Sequence, residues 1–361
     1  MDRIQRQCNP VQGVAYGQTP TLDLQLGPRY RYLLLEIIAA AAAAVGGGAA
    51  PTLVLPDVLG DVIVKIGGNP QRTHSAVQLD AINRSYGAQY GMNAYNFDGG
   101  ALTYVNGVPQ GPQPGKQTVF YLPIFFREPW RQSYAAKEMM AWYTSWQDGS
   151  VLPSFSLALT IPPASPNVLA GSAISINAYA ETDNAVGPLD ANKNPVAMIT
   201  KWKRQQIVYG GAGDLVITTL NKQEVYNQIS LFSAYLVGAV GAYIGPIPGN
   251  TPAKIITDQN DPTKFDAISH VKVEVDNRTV RDVSKIVNDQ ELLDDDFNES
   301  GLPADRFDVC FDKSDLPTDG LVMQSGGSTV QDFRITATLA AAAAQNKSLQ
   351  ALMQIYGAIE R

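Results

Sequence analysis

The sequence predicts an all-β protein made of two tandem eight-stranded jelly rolls, a type of β-sandwich, with short inserted helices. Three observations lead to this prediction. Short runs of alternating or continuously apolar residues recur along the chain, each bounded by Gly, Pro, Asn or Asp. Helical periodicity is rare. The strand-like blocks of the first half return in the same order in the second half, and a repeat of this kind guides the choice of fold.

The composition is that of a packed globular protein with few surface charges. Of 361 residues, 45% are hydrophobic and 17% are charged, where about a quarter is usual. The net charge is −7 and there is no dense run of Lys and Arg, so the sequence argues against direct binding of nucleic acid. Two cysteines and two histidines exclude a disulfide framework and argue against a zinc site.

The strand patterns of both halves are short and end at turn-forming residues. The segment 29–38 begins with alternation and becomes continuously apolar, which is typical of a strand buried on both faces. In the first half the patterns cover residues 21–26, 29–38, 61–66, 118–126, 154–161 and 173–180. In the second half they cover residues 214–220, 226–237, 268–275, 306–311 and 332–339.

Two segments have helical features. Ala135, Met139, Trp142 and Trp146 recur at helical spacing behind a first-turn proline, so we expect a helix over 129–146. A second helix is expected near 346–356.

Three other apolar stretches are expected to be strands. The alanine runs 39–44 and 340–344 follow apolar strands and should extend them where sheets or subunits approach closely. Residues 229–247 carry no charge over a length that could span a membrane. Glycines and Pro246 within this stretch favour a buried strand that runs into a glycine-rich loop.

An internal repeat relates residues 62–77 to residues 271–286, an offset of 209. Each copy has a five-residue alternating strand and then two turn-forming residues, and Arg72 in the first copy matches Arg281 in the second. Other blocks correspond in the same order: 22–26 with 215–219, 118–126 with 306–311, and 154–161 with 332–339. The alternative is two unrelated all-β domains, since alternating strands resemble one another by chance.

The breaks in the pattern predict the domain limits. Proline-rich residues 162–166 and the turn-rich stretch 187–195 suggest a boundary between about 165 and 210. We therefore expect four parts: an N-terminal arm over 1–14, a first jelly roll over 15–170, a linker over 171–205, and a second jelly roll with a C-terminal segment over 206–361.

A family resemblance lies in the segment FYLPIFFREPWRQSYAAKEMMAWYTSWQDGSVLPSFSLALTI at 120–161 and in its shorter counterpart at 306–339. This layout of strand, insertion and strand resembles the double jelly-roll major capsid proteins of membrane-containing icosahedral viruses of the tectivirus and corticovirus lineage, which include bacteriophages. The resemblance implies a non-enzymatic shell subunit that forms pseudo-hexagonal trimers over an internal lipid membrane. It further implies a virion protein that is assembled in the host cytoplasm, with minor capsid, penton and membrane proteins as partners.

Three groups of residues are candidate sites. In the resemblance, Arg3 and Arg6 would lie near the membrane, with a plain disordered terminus as the alternative. Trp130, Trp142 and Trp146 are expected in subunit contacts or in the core rather than on a sugar-binding platform. The dense carboxylate cluster is a possible Ca²⁺ site, with a solvated acidic loop as the alternative; its members are Glu291, Asp294, Asp295, Asp296 and Glu299. No cofactor is required.

Two other functions remain as alternatives. The chain could be a two-domain β-sandwich binding module, such as a receptor-binding or glycan-binding spike. It could also be a hydrolase on a β scaffold, for which Glu291 and Asp294 would be the candidate acids.

Overall fold

A computed structural model describes most of the chain, which divides into two compact units. The described residues are 3–42, 53–97, 104–105, 108–109, 117–131, 133–209, 211–222, 224–237, 240–242, 268–294, 306–312, 316–325, 328–339 and 347–360. Unit 1 comprises Met1–Asn83, Gln89–Ile199 and Ala358–Arg361. Unit 2 comprises Arg84–Ala88 and Thr200–Gly357.

Up to residue 183, the described residues form eleven strands and three α-helices. The strands are β1 (Ile4–Gln7), β2 (Thr21–Asp23), β3 (Arg29–Ala40), β4 (Asp61–Ile66), β5 (Asn69–Ser75), β6 (Asn93–Phe97), β7 (Tyr104–Val105), β8 (Val108–Pro109), β9 (Gln117–Phe125), β10 (Phe155–Leu159) and β11 (Ser175–Asp183). The helices are α1 (Leu55–Val58), α2 (Ala76–Ser85) and α3 (Tyr134–Met139).

From residue 198 onward, the described residues form twelve strands and one α-helix. The strands are β12 (Met198–Tyr209), β13 (Gly213–Ile217), β14 (Val225–Val237), β15 (Val240–Ala242), β16 (Ile268–Val275), β17 (Arg278–Ser284), β18 (Arg306–Cys310), β19 (Leu321–Val322), β20 (Gln324–Ser325), β21 (Ser328–Thr329), β22 (Phe333–Leu339) and β23 (Lys347–Ala358). The helix is α4 (Lys285–Asp294).

Each unit is a jelly roll, and the two have the same topology. In unit 1 the sheets have the orders β1-β11-β3-β9-β6 and β2-β10-β4-β5. In unit 2 the orders are β12-β23-β14, with β18 beside β14, and β13-β22-β16-β17. Eight strands of each unit therefore correspond one to one, and α2 and α4 both follow the fifth strand. The prediction of two tandem jelly rolls is confirmed, and the two domains are not unrelated sandwiches.

The predicted repeat of 62–77 in 271–286 is a hairpin that enters a ten-residue helix in both units. The cross-strand pair Val64 and Arg72 recurs 209 residues later as Val273 and Arg281. The two turn residues have positive φ in each hairpin, at 58° and 83° in Gly67-Gly68 and at 48° and 62° in Asp276-Asn277. This left-handed backbone matches the twist of a two-residue hairpin, and Gly, Asn and Asp adopt it at low cost.

A buried tyrosine joins the two sheets of each unit. In unit 1 the Tyr30 ring on β3 meets the Phe155 ring on β10 edge to face, with 5.0 Å between centroids. In unit 2 the Tyr226 ring on β14 lies 5.2 Å from the Phe333 ring on β22. Each hydroxyl donates to a backbone carbonyl five residues earlier, at 2.8 Å for Tyr30 and 2.7 Å for Tyr226. These rings stand on corresponding strands, so the same contact closes both sandwiches.

The predicted helix over 129–146 is wrong in its extent. The helix α3 covers only Tyr134–Met139, where Ser133 caps it by accepting a hydrogen bond from the Ala136 amide at 3.1 Å. The chain beyond it is extended, because Trp142 bridges to Tyr30 and Trp146 bridges to Gly187. A Cβ on Gly187 would lie 2.5 Å from Cδ1 of Trp146, so the indole packs directly on that backbone. This packing outweighs helix propensity.

The second predicted helix is also wrong, because residues 347–358 form β23. This strand is paired with β14 and lies between β14 and β12. Its Ala, Leu, Met and Gln residues favour helix, but the strand lies in the middle of the sheet and is buried on both sides. Seven consecutive residues are buried there: Leu349, Gln350, Ala351, Leu352, Met353, Gln354 and Ile355.

The segment 171–205 is not a linker, because it contains β11 and the start of β12. The strand β11 pairs with β1 and β3 inside unit 1, and the unit boundary lies between Ile199 and Thr200. The break at 162–166 is a loop of unit 1. Asp57 holds this loop by accepting hydrogen bonds from Ser165 at 2.7 Å and from Asn167 at 3.2 Å.

The predicted N-terminal arm contains the first jelly-roll strand, since residues 4–7 form β1 and pair with β11. The first alanine run continues β3 through Ala40, and Ala41 bridges to Val168, so the strand interpretation is confirmed there. The second run, 340–344, lies outside the described residues. Residues 229–237 of the uncharged stretch belong to the strand β14. Over the described part of the chain, no helix combines the length and hydropathy needed to cross a membrane.

We expect Tyr30→Phe and Tyr226→Phe to destabilise the protein by a similar amount, about 1 kcal/mol each, because each loses the hydrogen bond from the tyrosine hydroxyl to a backbone carbonyl. Urea unfolding of the purified protein would measure the change. Tyr134→Phe is the control, since Tyr134 is 68% exposed and its loss should cost less than about 0.5 kcal/mol. Equal stability of all three variants would contradict the proposed role of the buried hydroxyls.

Candidate functional site

One side of the sheet β1-β11-β3-β9 in unit 1 is only partly covered. On β3, Leu33, Leu35 and Ile37 are fully buried, whereas Tyr32, Leu34, Glu36 and Ile38 are half-buried. We call the side that carries Tyr32, Leu34, Glu36 and Tyr179 the outer face of unit 1. The sequence of β3 predicts burial on both sides, and the described residues bury only one of them completely.

The charge at the centre of the outer face of unit 1 is satisfied within the chain. The Glu36 carboxylate accepts hydrogen bonds from Tyr121 Oη at 2.8 Å, Asn177 Nδ2 at 2.8 Å and Tyr179 Oη at 3.2 Å. Partial burial, together with the adjacent charge of Glu36 and its hydrogen bond, raises the pKa of Tyr179. The face therefore presents rings and aliphatic groups around a carboxylate that already has donors. Another protein surface can cover such a face without burying a charge that lacks a hydrogen-bond donor.

A shallow groove of about 230 Å³ lies on the same face. Its lining residues are Gln5, Arg6, Gln7, Tyr32, Leu34, Tyr179, Ala180 and Glu181. Small-molecule pockets usually measure about 300–1,000 Å³. This groove is smaller, half-open and lined by β-strand side chains, so its dimensions suit one side chain of a protein partner.

A buried ion network lies at the end of this sheet and attaches α3 to it. Arg29 contacts Asp183 at 2.6 Å, and Arg31 contacts Glu181 at 2.8 Å. Glu138 on α3 contacts both Arg31 and Arg127, the latter at 3.1 Å. Three positive and three negative groups therefore balance in a region that is almost free of solvent, and each charge has a partner.

The pKa of Asp183 reflects this network. Burial alone would raise it, but hydrogen bonds from Arg29 and from the Ala185 amide, with the charges of Arg29 and Arg31, hold it below its ordinary value. For Arg29, burial opposes the charge, and the hydrogen bond to Asp183 outweighs burial and raises the pKa. Both groups are thus charged at neutral pH.

The corresponding face of unit 2 is fully covered. Gln228, Ser230 and Phe232 on β14 are all buried, although they stand on the strand that corresponds to β3. Tyr86 donates its hydroxyl hydrogen to Gln228 at 2.7 Å, and Arg306 donates to Ser85. Residues 84–88, which include the end of α2, therefore lie on the outer face of unit 2.

Further contacts complete the burial of the outer face of unit 2. Asn288 on α4 donates to the Asp308 carbonyl at 2.7 Å, and Arg306 pairs with the Asp308 carboxylate at 2.6 Å. The outer face of unit 2 thus differs from that of unit 1 in burial, since its described side chains on β14 are covered and those on β3 are only half-buried.

The repeated hairpins also differ in exposure. On β5, Gln71 and His74 are completely buried. On β17 and α4, Val280 is 44% exposed, Ile286 45% and Val287 51%. The second copy of the same element thus leaves aliphatic side chains in solvent.

Arg72 illustrates how deeply the first copy of the hairpin is buried. Its guanidinium lies 5.0 Å from the Trp142 ring centroid and 5.6 Å from that of Phe126. Burial lowers the pKa of Arg72 to about 9, against the opposing charge of Glu128. His74 lies in the same strand, β5, and is also completely buried.

Two of the three tryptophans are core residues of unit 1. Trp142 and Trp146 are 1% and 2% exposed, so they offer no surface to a second subunit, and their prediction as subunit contacts is corrected. Trp142 packs against Phe126 and Phe155, and the Trp146 indole donates to the Val196 carbonyl at 3.0 Å. Trp130 is half-buried beside Tyr90 and Phe125, and its subunit contact stays a prediction.

The carboxylate cluster is described only in part. Glu291 pairs with Arg281. Asp295, Asp296, Glu299 and the side chain of Asp294 lie outside the described residues. Within the described ranges, no three His, Cys, Asp or Glu side chains gather closely enough to hold a metal ion. Calcium binding at 291–296 stays a prediction.

The N-terminal arginines lie at the edge strand of unit 1. Arg3 is exposed just before β1, and Arg6 lies in β1 opposite Ala180 and lines the groove. Their proximity to a membrane stays a prediction.

The sequence reasoning missed the paired tyrosines and the outer faces. A signal for the tyrosines was present: the second residue of each longest strand is a tyrosine, and each corresponding partner strand begins with a phenylalanine.

Comparison with known proteins relates this chain to viral coat proteins. Residues 5–98 match the family described as the viral coat protein P2 N-terminal domain. Among curated proteins, no sequence matches.

Solved structures match over nearly the whole chain. The major capsid protein P2 from bacteriophage PM2 has a TM-score of 0.62 at 14% identity, with 100% of this chain and 99% of that chain covered. A chain of the PBCV-1 virus capsid matches with a TM-score of 0.59 at 14% identity, and the match covers 98% of this chain and 93% of that chain. A chain in the structure of Sulfolobus Turreted Icosahedral Virus matches with a TM-score of 0.64 at 10% identity, and the match covers 99% of this chain and 91% of that chain. At these identities the likeness establishes the double jelly-roll fold.

We expect Asp183→Asn to lower the free energy of unfolding by about 3–5 kcal/mol, because the buried Arg29 loses its closest carboxylate and the network keeps one more positive than negative group. Urea unfolding at pH 7 measures the loss. Asp23→Asn serves as the control, since Asp23 is exposed on β2 and should change stability by less than about 0.5 kcal/mol. A small effect at Asp183 would show that the network contributes little.

Acid should weaken the wild-type protein partly through Asp183. Its folded pKa is below the unfolded value of about 3.9, so its contribution is complete above that value and is lost as the pH falls through the folded pKa. We expect the urea midpoint of the wild type to fall between about pH 5 and pH 2 more steeply than that of Asp183→Asn. Parallel curves for the two proteins would contradict this assignment.

Proposed function

We propose that this chain is the major capsid protein of an icosahedral virus and acts as a structural subunit without enzymatic activity. The observation that carries the proposal is the presence of two jelly rolls of one topology in a single chain, strand for strand. The match of residues 5–98 to a viral coat protein domain supports it. So does the similarity of the full length to solved major capsid structures.

The mechanism is geometric. Three copies of a chain with two similar jelly rolls place six similar domains around an axis, which gives a trimer with a nearly hexagonal outline. Such a tile packs with six neighbours, while the differing loops of the two jelly rolls allow contacts that are similar but not identical. The low charge of the chain, 17% of residues, reduces the desolvation cost of extensive lateral contacts.

The membrane and the further partners belong to the same proposal. Arg3 and Arg6 would face an internal lipid membrane, and minor capsid, penton and membrane proteins would fill the places where trimers alone do not close the shell. A Ca²⁺ ion at Glu291, Asp294, Asp295 and Asp296 could brace the subunit. The glycan-binding alternative has lost its main support, because Trp142 and Trp146 are buried.

The purified protein should behave as a trimer, with three times the 38.9 kDa of one chain. Size-exclusion chromatography with light scattering at micromolar concentration measures the mass, and negative-stain images should show a six-sided outline. A stable monomer under these conditions would contradict the proposed capsomer.

A further inference from the structure

The helix α3 is held to unit 1 by a charge and by very little apolar surface. Of its six residues, Ala136 and Glu138 are buried, while Tyr134 is 68% exposed and Met139 38%. A short helix in a globular protein is normally stabilised by packing of an apolar face. Because this helix buries one methyl group and one carboxylate, its attachment depends on the carboxylate of Glu138.

Arginines surround the Glu138 carboxylate. It contacts Arg31, Arg127 at 3.1 Å and Arg29 at 3.6 Å. An ionised carboxylate is attracted by all three guanidinium groups, whereas a protonated one leaves positive charge in excess within a buried region. The other ionisable groups around this contact are Glu181 and Asp183 on β11, Tyr143, whose hydroxyl accepts from Arg29 at 3.2 Å, and the pair Glu128 and Arg131 beside α3.

Removal of Glu138 leaves the sheet with ion pairs of its own. Arg29 keeps Asp183 at 2.6 Å, and Arg31 keeps Glu181 at 2.8 Å. The side chain of Arg127 is 16% exposed, against 8% for Arg29 and 2% for Arg31, so Arg127 is the arginine that can turn towards water. Both deeply buried arginines therefore retain a carboxylate when α3 departs.

The chain on either side of α3 is fixed to neighbouring residues of β3. The Phe126 amide donates to the Arg31 carbonyl, and the Trp142 amide donates to the Tyr30 carbonyl, both at 2.9 Å. The rings of Phe126 and Trp142 also pack together in the core, with 4.8 Å between their centroids. A segment whose two ends are held side by side can lift and return without altering the strands that hold it.

We propose that residues 133–141 form an acid-operated strap, in which protonation of Glu138 releases α3 from the end of the sheet while the sheet itself stays folded. The attraction between Glu138 and its arginines exists while the carboxylate is ionised, so it is present at neutral pH and is lost as the pH falls. The strap requires only the fold of one chain and is independent of the proposed capsid function.

The pair of Arg29 and Asp183 keeps the end of the sheet intact during release. Hydrogen bonds and the charges of two arginines hold the pKa of Asp183 below its ordinary value, so this pair persists in mild acid. Without Glu138, three arginines stand beside two carboxylates. The buried Met140 and Ala141 leave with the strap. Acid therefore converts a closed, neutral end of the domain into a positively charged and partly apolar one.

Hydrogen exchange at pH 7 tests the strap with a pair of variants. Glu138→Gln keeps the shape of the side chain and removes its charge. The matched control is Glu36→Gln, since Glu36 lies on β3 and accepts hydrogen bonds from Tyr121 and Asn177. We expect the amides of residues 134–141 to exchange at least about tenfold faster in Glu138→Gln than in the wild type or the control, with residues 32–37 of Glu138→Gln unchanged.

Trypsin provides a second measurement, because Lys137 lies within α3 and its peptide bond must leave the helix before the protease can cleave it. At neutral pH, cleavage after Lys137 should be at least about tenfold faster in Glu138→Gln than in the other two proteins. Equal exchange and equal cleavage in all three proteins would overturn the inference. Faster exchange that extends to β3 and β9 would also overturn it, since the whole sheet would then be opening.

A pH series on the wild type decides the question if Glu138→Gln does not fold, which circular dichroism would show. From pH 7 to pH 3, the protection of residues 134–141 should fall at least about tenfold relative to that of residues 32–37, after correction for the intrinsic exchange rate at each pH. In a folded Glu138→Gln the ratio should already be low at pH 7 and change less than about twofold. A constant ratio in the wild type would contradict the acid-operated strap.

Discussion

In each sandwich a buried tyrosine, Tyr30 or Tyr226, contacts the opposite sheet, and two contacts fix its position. Its ring packs against a phenylalanine at the start of a strand in the opposite sheet, and its hydroxyl is bonded to the chain five residues earlier. The first contact fixes the spacing of the sheets, and the second fixes where the longest strand begins. A one-residue slip of that strand would turn the ring to the other face, so the register of the whole sheet depends on this residue.

Duplication of this fold places equivalent surfaces in unequal surroundings. The first hairpin has become a buried element with Gln71, Arg72 and His74 inside, while the second retains aliphatic groups in solvent. The outer faces differ in the opposite sense, since the face of unit 2 is buried and that of unit 1 is half-buried. Tyr86 and Ser85 satisfy the polar groups of one face, whereas Glu36 on the other is satisfied by side chains of its own sheet. The two copies of the fold therefore differ in which of their described surfaces remain exposed.

The sequence alone was sufficient for the fold class and for most of the repeat, because alternation and turn residues act locally. The hairpins at Gly67-Gly68 and Asp276-Asn277 could be aligned from the amino-acid sequence alone. The sequence was insufficient where contacts between distant residues determine the local structure. The residues of β23 favour helix but pair with β14, and Trp146 packs against Gly187 instead of continuing a helix. Among the candidate site residues, Trp142 and Trp146 were expected in subunit contacts or in the core, and both lie in the core. Amphipathic spacing could not decide between the two, because it does not reveal which surface remains free.

The buried network of Arg29, Arg31, Arg127, Glu138, Glu181 and Asp183 has equal numbers of positive and negative groups and little access to solvent. Dissolved ions screen charges that they can approach, over roughly 10 Å at 0.1 M salt, and act much less on pairs inside a protein. The attachment of α3 is therefore insensitive to ionic strength. The ion pairs that hold α3 to the sheet should persist in dilute and in saline surroundings alike.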